Sequence, residues 1–192
     1  MMSNRRLPRL AAQALLTAAL ALPAVAQNNI LDPHTLAPFV PTPDKIVEHM
    51  LSAAEVTKDD IVYDLGSGDG RILFTAAERF GAQAVGIEIN RSLVEMSRKR
   101  IAELGLADRV KIVQDDLLEA DLSQATVVTV YLLSSTNEQL KPKFEAELKP
   151  GSRVVSHDFQ FLGWRPARMV EAPGETRLHR IYVYQMGAHR EQ

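Results

Sequence analysis

Three glycines at alternate positions, Gly66, Gly68 and Gly70, follow the apolar run Ile61-Val62-Tyr63-Asp64-Leu65 and precede a run with helical spacing. Glycine there lets the chain turn sharply and bring its backbone against a ligand with no β-carbon in the way. Acids surround that turn: Asp64 before it, Asp69 within it, Glu88 at the end of the next apolar run, and the pair Asp115 and Asp116 after a third. Carboxylates at such places accept hydrogen bonds, and one like Glu88 can accept from both hydroxyls of a ribose. Register narrows the ligand. The dinucleotide fingerprint G-x-G-x-x-G would put its third glycine at Arg71, and the Gly-Lys-Ser/Thr of a Walker loop does not follow.

These residues need strands to carry them and helices to space the strands. Thr42-Pro43-Asp44 has the form of a helix start: a hydroxyl cap, Pro at the first helical position, then an acid. Ile46, Val47, Met50, Leu51 and Ala54 follow at helical spacing. Ile61 to Leu65 reads as a strand, and Ile72, Leu73, Ala76, Ala77 and Phe80 as a helical stripe that Gly81 stops. The alternation continues. Ala84 to Ile89 is a strand, Asn90 a cap, and Leu93, Met96, Ile101 and Leu104 a stripe closed by Gly105. Arg109 to Val113 gives a third strand, and the nearly unbroken apolar run Thr126 to Leu133 a fourth, covered on both faces. Leu140, Phe144 and Leu148 mark a helix ended by Lys149-Pro150-Gly151, and Arg153 to Ser156 a fifth strand. Arg168 to Glu171, a Pro173-Gly174 turn and Arg177 to Gln185 read as a terminal hairpin. Five strands alternating with helices predict an α/β, doubly wound parallel sheet. Ligands of such sheets bind beyond the carboxyl ends of the strands, where strand order reverses, and the glycines and acids fall at such ends.

The chain has 192 residues, with 22 Lys and Arg against 24 Asp and Glu, and no cysteine. That length predicts one domain whose core needs no covalent staple. Without cysteine there is no thiol nucleophile, disulfide, Fe–S cluster or thiolate zinc site. Five histidines lack a ligand-like spacing, so no metal is expected. Arg5, Arg6 and Arg9 precede an apolar stretch from Leu10 to Leu22, and Ala24-Val25-Ala26 has the small-x-small pattern of a cleavage site. Residues 1–26 are therefore expected to be a cleaved export signal for the general secretory route to the periplasm, with an uncleaved membrane anchor as the alternative. An extended arm over 27–41, a catalytic domain over 42–186 and a tail over 187–192 would follow. Losing the three arginines takes the formal charge from −2 to −5, without the basic footprint of a nucleic-acid binder.

Val62-Tyr63-Asp64-Leu65-Gly66-Ser67-Gly68-Asp69-Gly70 resembles the first motif of class I S-adenosylmethionine (SAM) methyltransferases. The resemblance implies a Rossmann-like, mostly parallel seven-stranded sheet with a C-terminal antiparallel hairpin, SAM as cofactor, and methyl transfer as the activity. It implies that Asp64 holds the methionine amino end and that Gly66, Ser67, Gly68 and Asp69 lie against the cofactor. Glu88 would take the ribose hydroxyls, and Asp116, or its neighbour Asp115, the adenine amino group. The methionyl carboxylate suits exposed backbone N–H groups of the glycine loop. Thr42 could reach the cofactor from the arm or serve only as a cap.

Phe39-Val40-Pro41-Thr42-Pro43, Asp64 to Ile72, and Val154-Val155-Ser156 with the downstream Trp164 are similar to two related groups. One is bacterial methyltransferase-domain proteins. The other is the mitochondrial lysine methyltransferases that modify the ATP-synthase c-subunit and the adenine nucleotide carrier. That resemblance implies a protein lysine as acceptor; a small molecule or lipid-linked metabolite, or a SAM-binding protein without catalysis, are the other readings. Tyr131-Leu132-Leu133-Ser134-Ser135 departs from the Asn/Asp-Pro-Pro-aromatic motif of methylases acting on nucleobase or glutamine amides, and with the acidity argues against nucleic acid. Tyr131 is a candidate wall for the acceptor amine, or an aromatic filling the sheet edge. His157 and Asp158 are candidate proton acceptors in catalysis, or a solvated loop pair. A monomer is expected, near a membrane, with the methyl acceptor as its partner.

Overall fold

Strands whose successive side chains are all apolar must be covered on both faces, and helices do the covering. The computed structural model describes residues 39–190. In chain order they form α1 (Asp44–Ala53), β1 (Ile61–Leu65), α2 (Arg71–Phe80), β2 (Gln83–Glu88), α3 (Arg91–Glu103), β3 (Val110–Gln114), β4 (Val127–Val130), α4 (Ser134–Glu147), β5 (Arg153–His157), β6 (Arg168–Pro173) and β7 (Leu178–Gln185). The expected export signal at 1–26, residues 27–38 of the arm, and residues 191–192 lie outside the described residues.

The strands join in one sheet of order β3-β2-β1-β4-β5-β7-β6. The five strands from β3 to β5 pair in parallel, and β7 runs antiparallel between β5 and β6. This is the doubly wound sheet with a C-terminal antiparallel hairpin that the resemblance implies, and its strand order reverses between β1 and β4. In register, Asp64 of β1 lies beside Thr129 of β4 on one side and Gly86 of β2 on the other. Alternation divides the core. Val127 and Val155 pack with Ile46, Met50, Leu73 and Val94 from α1, α2 and α3. Their neighbours Val128 and Val154 face a second cluster with Leu140 and Phe144 of α4 and the aromatics Phe161, Trp164 and Tyr184. Each fully buried side chain of this size contributes roughly 1.5–3 kcal/mol.

Three local expectations are corrected. Thr42 does not cap α1: Pro43 is the boundary residue, and no side chain caps the helix. The stripe of α3 is Val94, Ser97 and Ile101, while Met96 is 47% exposed. Leu93 and Val94 offered two overlapping apolar faces, and packing against β3 selected the second. β4 ends at Val130, since the chain must leave the sheet before α4; Leu132 stays buried and Leu133 is exposed. Asn90 caps α3 as expected, accepting from the N–H groups of Ser92 and Leu93.

Arginines tie the hairpin side to α1. Arg153 clamps Asp60 with two bonds of 3.0 and 2.9 Å and donates to the Ala54 carbonyl, while Arg168 donates to that of Ala53. Residues 187–190 also rest on the domain. The His189 ring lies 4.3 Å from Trp164, and the His189 carbonyl accepts from the Arg165 N–H. No helix among the described residues is long and apolar enough to cross a membrane.

Candidate active site

The glycine loop turns out of β1 at the point where strand order reverses. Gly66, Gly68 and Gly70 all have φ between +56° and +81°, a region that L side chains rarely adopt. Asp64, the last acid of β1, is 3% exposed and accepts a 2.7 Å bond from the Thr129 hydroxyl of β4. Burial pushes its pKa up to about 7 against that hydrogen bond, and the carboxylates of Glu88 and Asp69 push in the same direction as burial. Such a buried anionic centre favours a cationic ligand group. The loop's own amides are engaged inside the protein. Gly66 and Ser67 donate to the Ile87 carbonyl, Gly70 to that of Ser67, and Gly68 to Glu88. Those four are therefore not the exposed donors expected for a methionyl carboxylate.

Glu88 is 7% exposed at the end of β2 and accepts from Gly68 N–H through Oε2 and from Asn90 N–H through Oε1, each at 2.8 Å. Each carboxylate oxygen keeps a further lone pair for a hydroxyl. Asp115 and Asp116 follow β3 as expected. Asp115 is exposed and accepts from Asp116 N–H; Asp116 is half-buried and accepts from Leu118 N–H.

Three other residues expected at the cofactor have polar or packing neighbours inside the protein. Asp69 forms a two-pronged ion pair with Arg71, which holds its carboxyl below the usual range despite burial, and Arg71 also donates to the Thr42 carbonyl. The Thr42 hydroxyl lies 3.3 Å from His157 Nδ1. The Ser67 hydroxyl is buried without a partner, pressed so close to Gly86 that a β-carbon there would lie 2.6 Å away. Arg71 and Thr129, which set the geometry of Asp69 and Asp64, were missed in sequence because each needs a fold contact to acquire a role.

Past β4, Tyr131 is half-buried and its ring lies tilted by 35° against that of His157, with centroids 3.9 Å apart. His157 ends β5 with no exposed surface, and its Nε2 lies 2.8 Å from His179 Nδ1 of β7. Burial pushes its pKa down to about 4; Asp158 opposes this, and His179 and Arg177 add to it. Asp158 is ion-paired with Arg177 at 2.5 Å, and Arg177 also bonds Tyr131. The structure thus joins all three expected catalytic residues, yet leaves neither His157 nor Asp158 free as a base. Arg177 and His179 are additional members that their alternating strand did not mark.

A sequence model of the ANTKMT methyltransferase domain matches residues 64–168. A protein-lysine N-methyltransferase of Saccharolobus islandicus (strain REY15A) is 48% identical over 159 residues, covering 82% of this chain and 98% of that protein. The mouse lysine N-methyltransferase of the ATP-synthase c-subunit is 35% identical over 80% of this chain, which spans 60% of the mouse protein. A crystal structure described as an RNA methyltransferase from Salinibacter ruber, in complex with S-adenosyl-L-homocysteine, is 48% identical with a TM-score of 0.73, covering 80% of this chain and 95% of that one.

Proposed function

This chain belongs to the ANTKMT methyltransferase-domain family of SAM-dependent enzymes, and from that premise we propose that its methyl acceptor is a protein lysine. The observation that carries this reading is 48% identity across 98% of an archaeal relative named for that activity. The residues fit SAM by their chemistry. Asp64 would hold the methionyl ammonium, Glu88 the ribose hydroxyls, and Asp116 or Asp115 the adenine amino group, with Gly66 and Gly68 presenting bare backbone. When bound, SAM supplies a methyl group activated by its sulfonium.

The chain's part is alignment and control of the acceptor's protonation. An attacking lysine needs a lone pair, so it must arrive as the neutral amine. A half-buried wall formed by Tyr131 over His157 strips water from the amine and favours that form. With His157 and Asp158 both engaged, the proton leaves to solvent before docking.

An RNA acceptor is the second reading, favoured by the Salinibacter ruber structure. The excess of acidic over basic residues weighs against it. The test supplies the full chain with methyl-labelled SAM and separate protein and RNA fractions. The expected result is label in protein, recovered as methyl-lysine and reduced at least about 100-fold by Asp64→Ala. Label in RNA instead would overturn the lysine reading.

Export to the periplasm is also proposed, on the strength of Arg5, Arg6, Arg9, the apolar stretch after them and Ala24-Val25-Ala26. The expected product is a chain beginning at Gln27, working as a monomer close to a membrane, and mass analysis of the native amino terminus checks the cleavage.

A further inference from the structure

His157, Asp158 and His179 converge more closely than a ring contact with Tyr131 requires. His157 Nε2 lies 2.8 Å from His179 Nδ1 and 3.3 Å from Asp158 Oδ2, and His179 Nδ1 lies 3.5 Å from that same oxygen. Three candidate ligand atoms thus form a small triangle, closed by the hydrogen bond between the two ring nitrogens. Ligand atoms on one face of a tetrahedral zinc ion stand about 3.3 Å apart, as bond lengths of about 2.0–2.2 Å require. All three residues come from the seam where β5 meets β7 antiparallel.

The surroundings are arranged for the same geometry. Thr42 Oγ1 faces the other nitrogen of His157, 3.3 Å from Nδ1, and can accept its proton, which leaves Nε2 as a lone pair. Asp158 has φ 61°, in the left-handed region that few non-glycine residues adopt. Its backbone is held there by bonds exchanged with Arg180, whose carbonyl accepts from Asp158 N–H and whose N–H donates to Oδ1. That turn swings Oδ2 back toward both rings. Gly174 completes the fit, because a β-carbon there would lie 2.5 Å from His179 Nε2.

We propose that His157 Nε2, His179 Nδ1 and Asp158 Oδ2 form a binding site for a divalent zinc-class cation, with water as the fourth ligand. Arg177 is the competing cation. Its Nη2 pairs with Asp158 Oδ2, and its side chain is 48% exposed, so it can swing into solvent when the metal enters. With His157 Nε2 as the acceptor, His179 donates from Nδ1 in the absence of metal, and that proton moves to Nε2 of the same ring as Nδ1 coordinates. Metal entry draws Arg177 away from Tyr131 as well, which links occupancy to the acceptor wall. The site stands apart from the identity of the methyl acceptor.

The test titrates untagged full-length chain, freed of metal by chelator dialysis, with Zn2+ against a chromophoric competitor, and with Co2+ monitored in the visible. The expected result is one Zn2+ per chain, a tetrahedral Co2+ spectrum and a raised unfolding temperature. Affinity should fall at least about tenfold in His179→Ala. Asp158→Asn, which keeps the shape and tolerates the left-handed backbone, should also bind about 10–100-fold more weakly and guards against a misfolded alanine variant. Arg177→Ala should bind more tightly than the parent. No binding by the parent chain, or binding that survives both ligand variants, overturns the site.

Discussion

Burial at the end of β1 pushes the pKa of Asp64 up to about 7. A ligand ammonium pairs with the ionised carboxylate only. SAM affinity should therefore fall about tenfold per pH unit below about 7, with a proton released on binding at lower pH. Calorimetry in two buffers of different ionisation enthalpy reads both effects, and an affinity flat across that range would remove Asp64 as the ammonium's partner. The linkage to folding has the opposite sign. The folded value lies above the ordinary 3.8, so the stability this group contributes is complete below 3.8 and lost as pH rises through about 7. Thr129 favours the anion through its hydrogen bond, so Thr129→Val should move the binding midpoint up by about one unit in the same titration. Asp64 was legible in the sequence because it directly precedes the glycines. Thr129, 65 residues away, was not, because only the β1–β4 register brings it alongside.

Among the elements, the glycine loop and α3 show different degrees of legibility. The loop was read correctly as a turn, but the residue covering it was not foreseen as a contact. A β-carbon at Gly68, where φ is +56°, would overlap the edge of the Phe39 ring. Gly68→Ala should cost about 2–3 kcal/mol, and adding Phe39→Ala should recover the overpacking part while leaving the backbone strain. Denaturant unfolding of the single and double variants measures this, with no recovery arguing against the contact. In α3 the apolar residues permit two stripes, and periodicity alone cannot choose between them. Met96→Lys should leave stability within about 0.5 kcal/mol, whereas Val94→Asp, at a fully buried position, should unfold the domain. Thermal unfolding separates these outcomes, and an equal loss in both would restore the stripe read from sequence.

For the molecule as a whole, the parallel half was legible because every strand there is an apolar run separated from the next by a crossover. The surroundings of Tyr131 were less so. His157 and His179 meet only because β7 inserts antiparallel beside β5, a placement that hairpin spacing does not specify. The far end of the chain likewise acquires its role through packing. His189 covers Trp164, and Arg190 pairs with Glu145 at 2.9 Å. Deleting residues 187–192 should lower stability by about 2 kcal/mol, or roughly 4–8 °C in Tm, in a thermal melt. An unchanged melt would mean that these contacts contribute nothing. The change from parallel to antiparallel pairing at β5 divides the labour of the sheet. Asp64, Glu88 and Asp116 lie on the parallel side, and Arg177 and His179 enter with the hairpin. Changes at exposed hairpin positions such as Arg177 can thus alter that end of the sheet while the glycine loop and its acids keep their geometry.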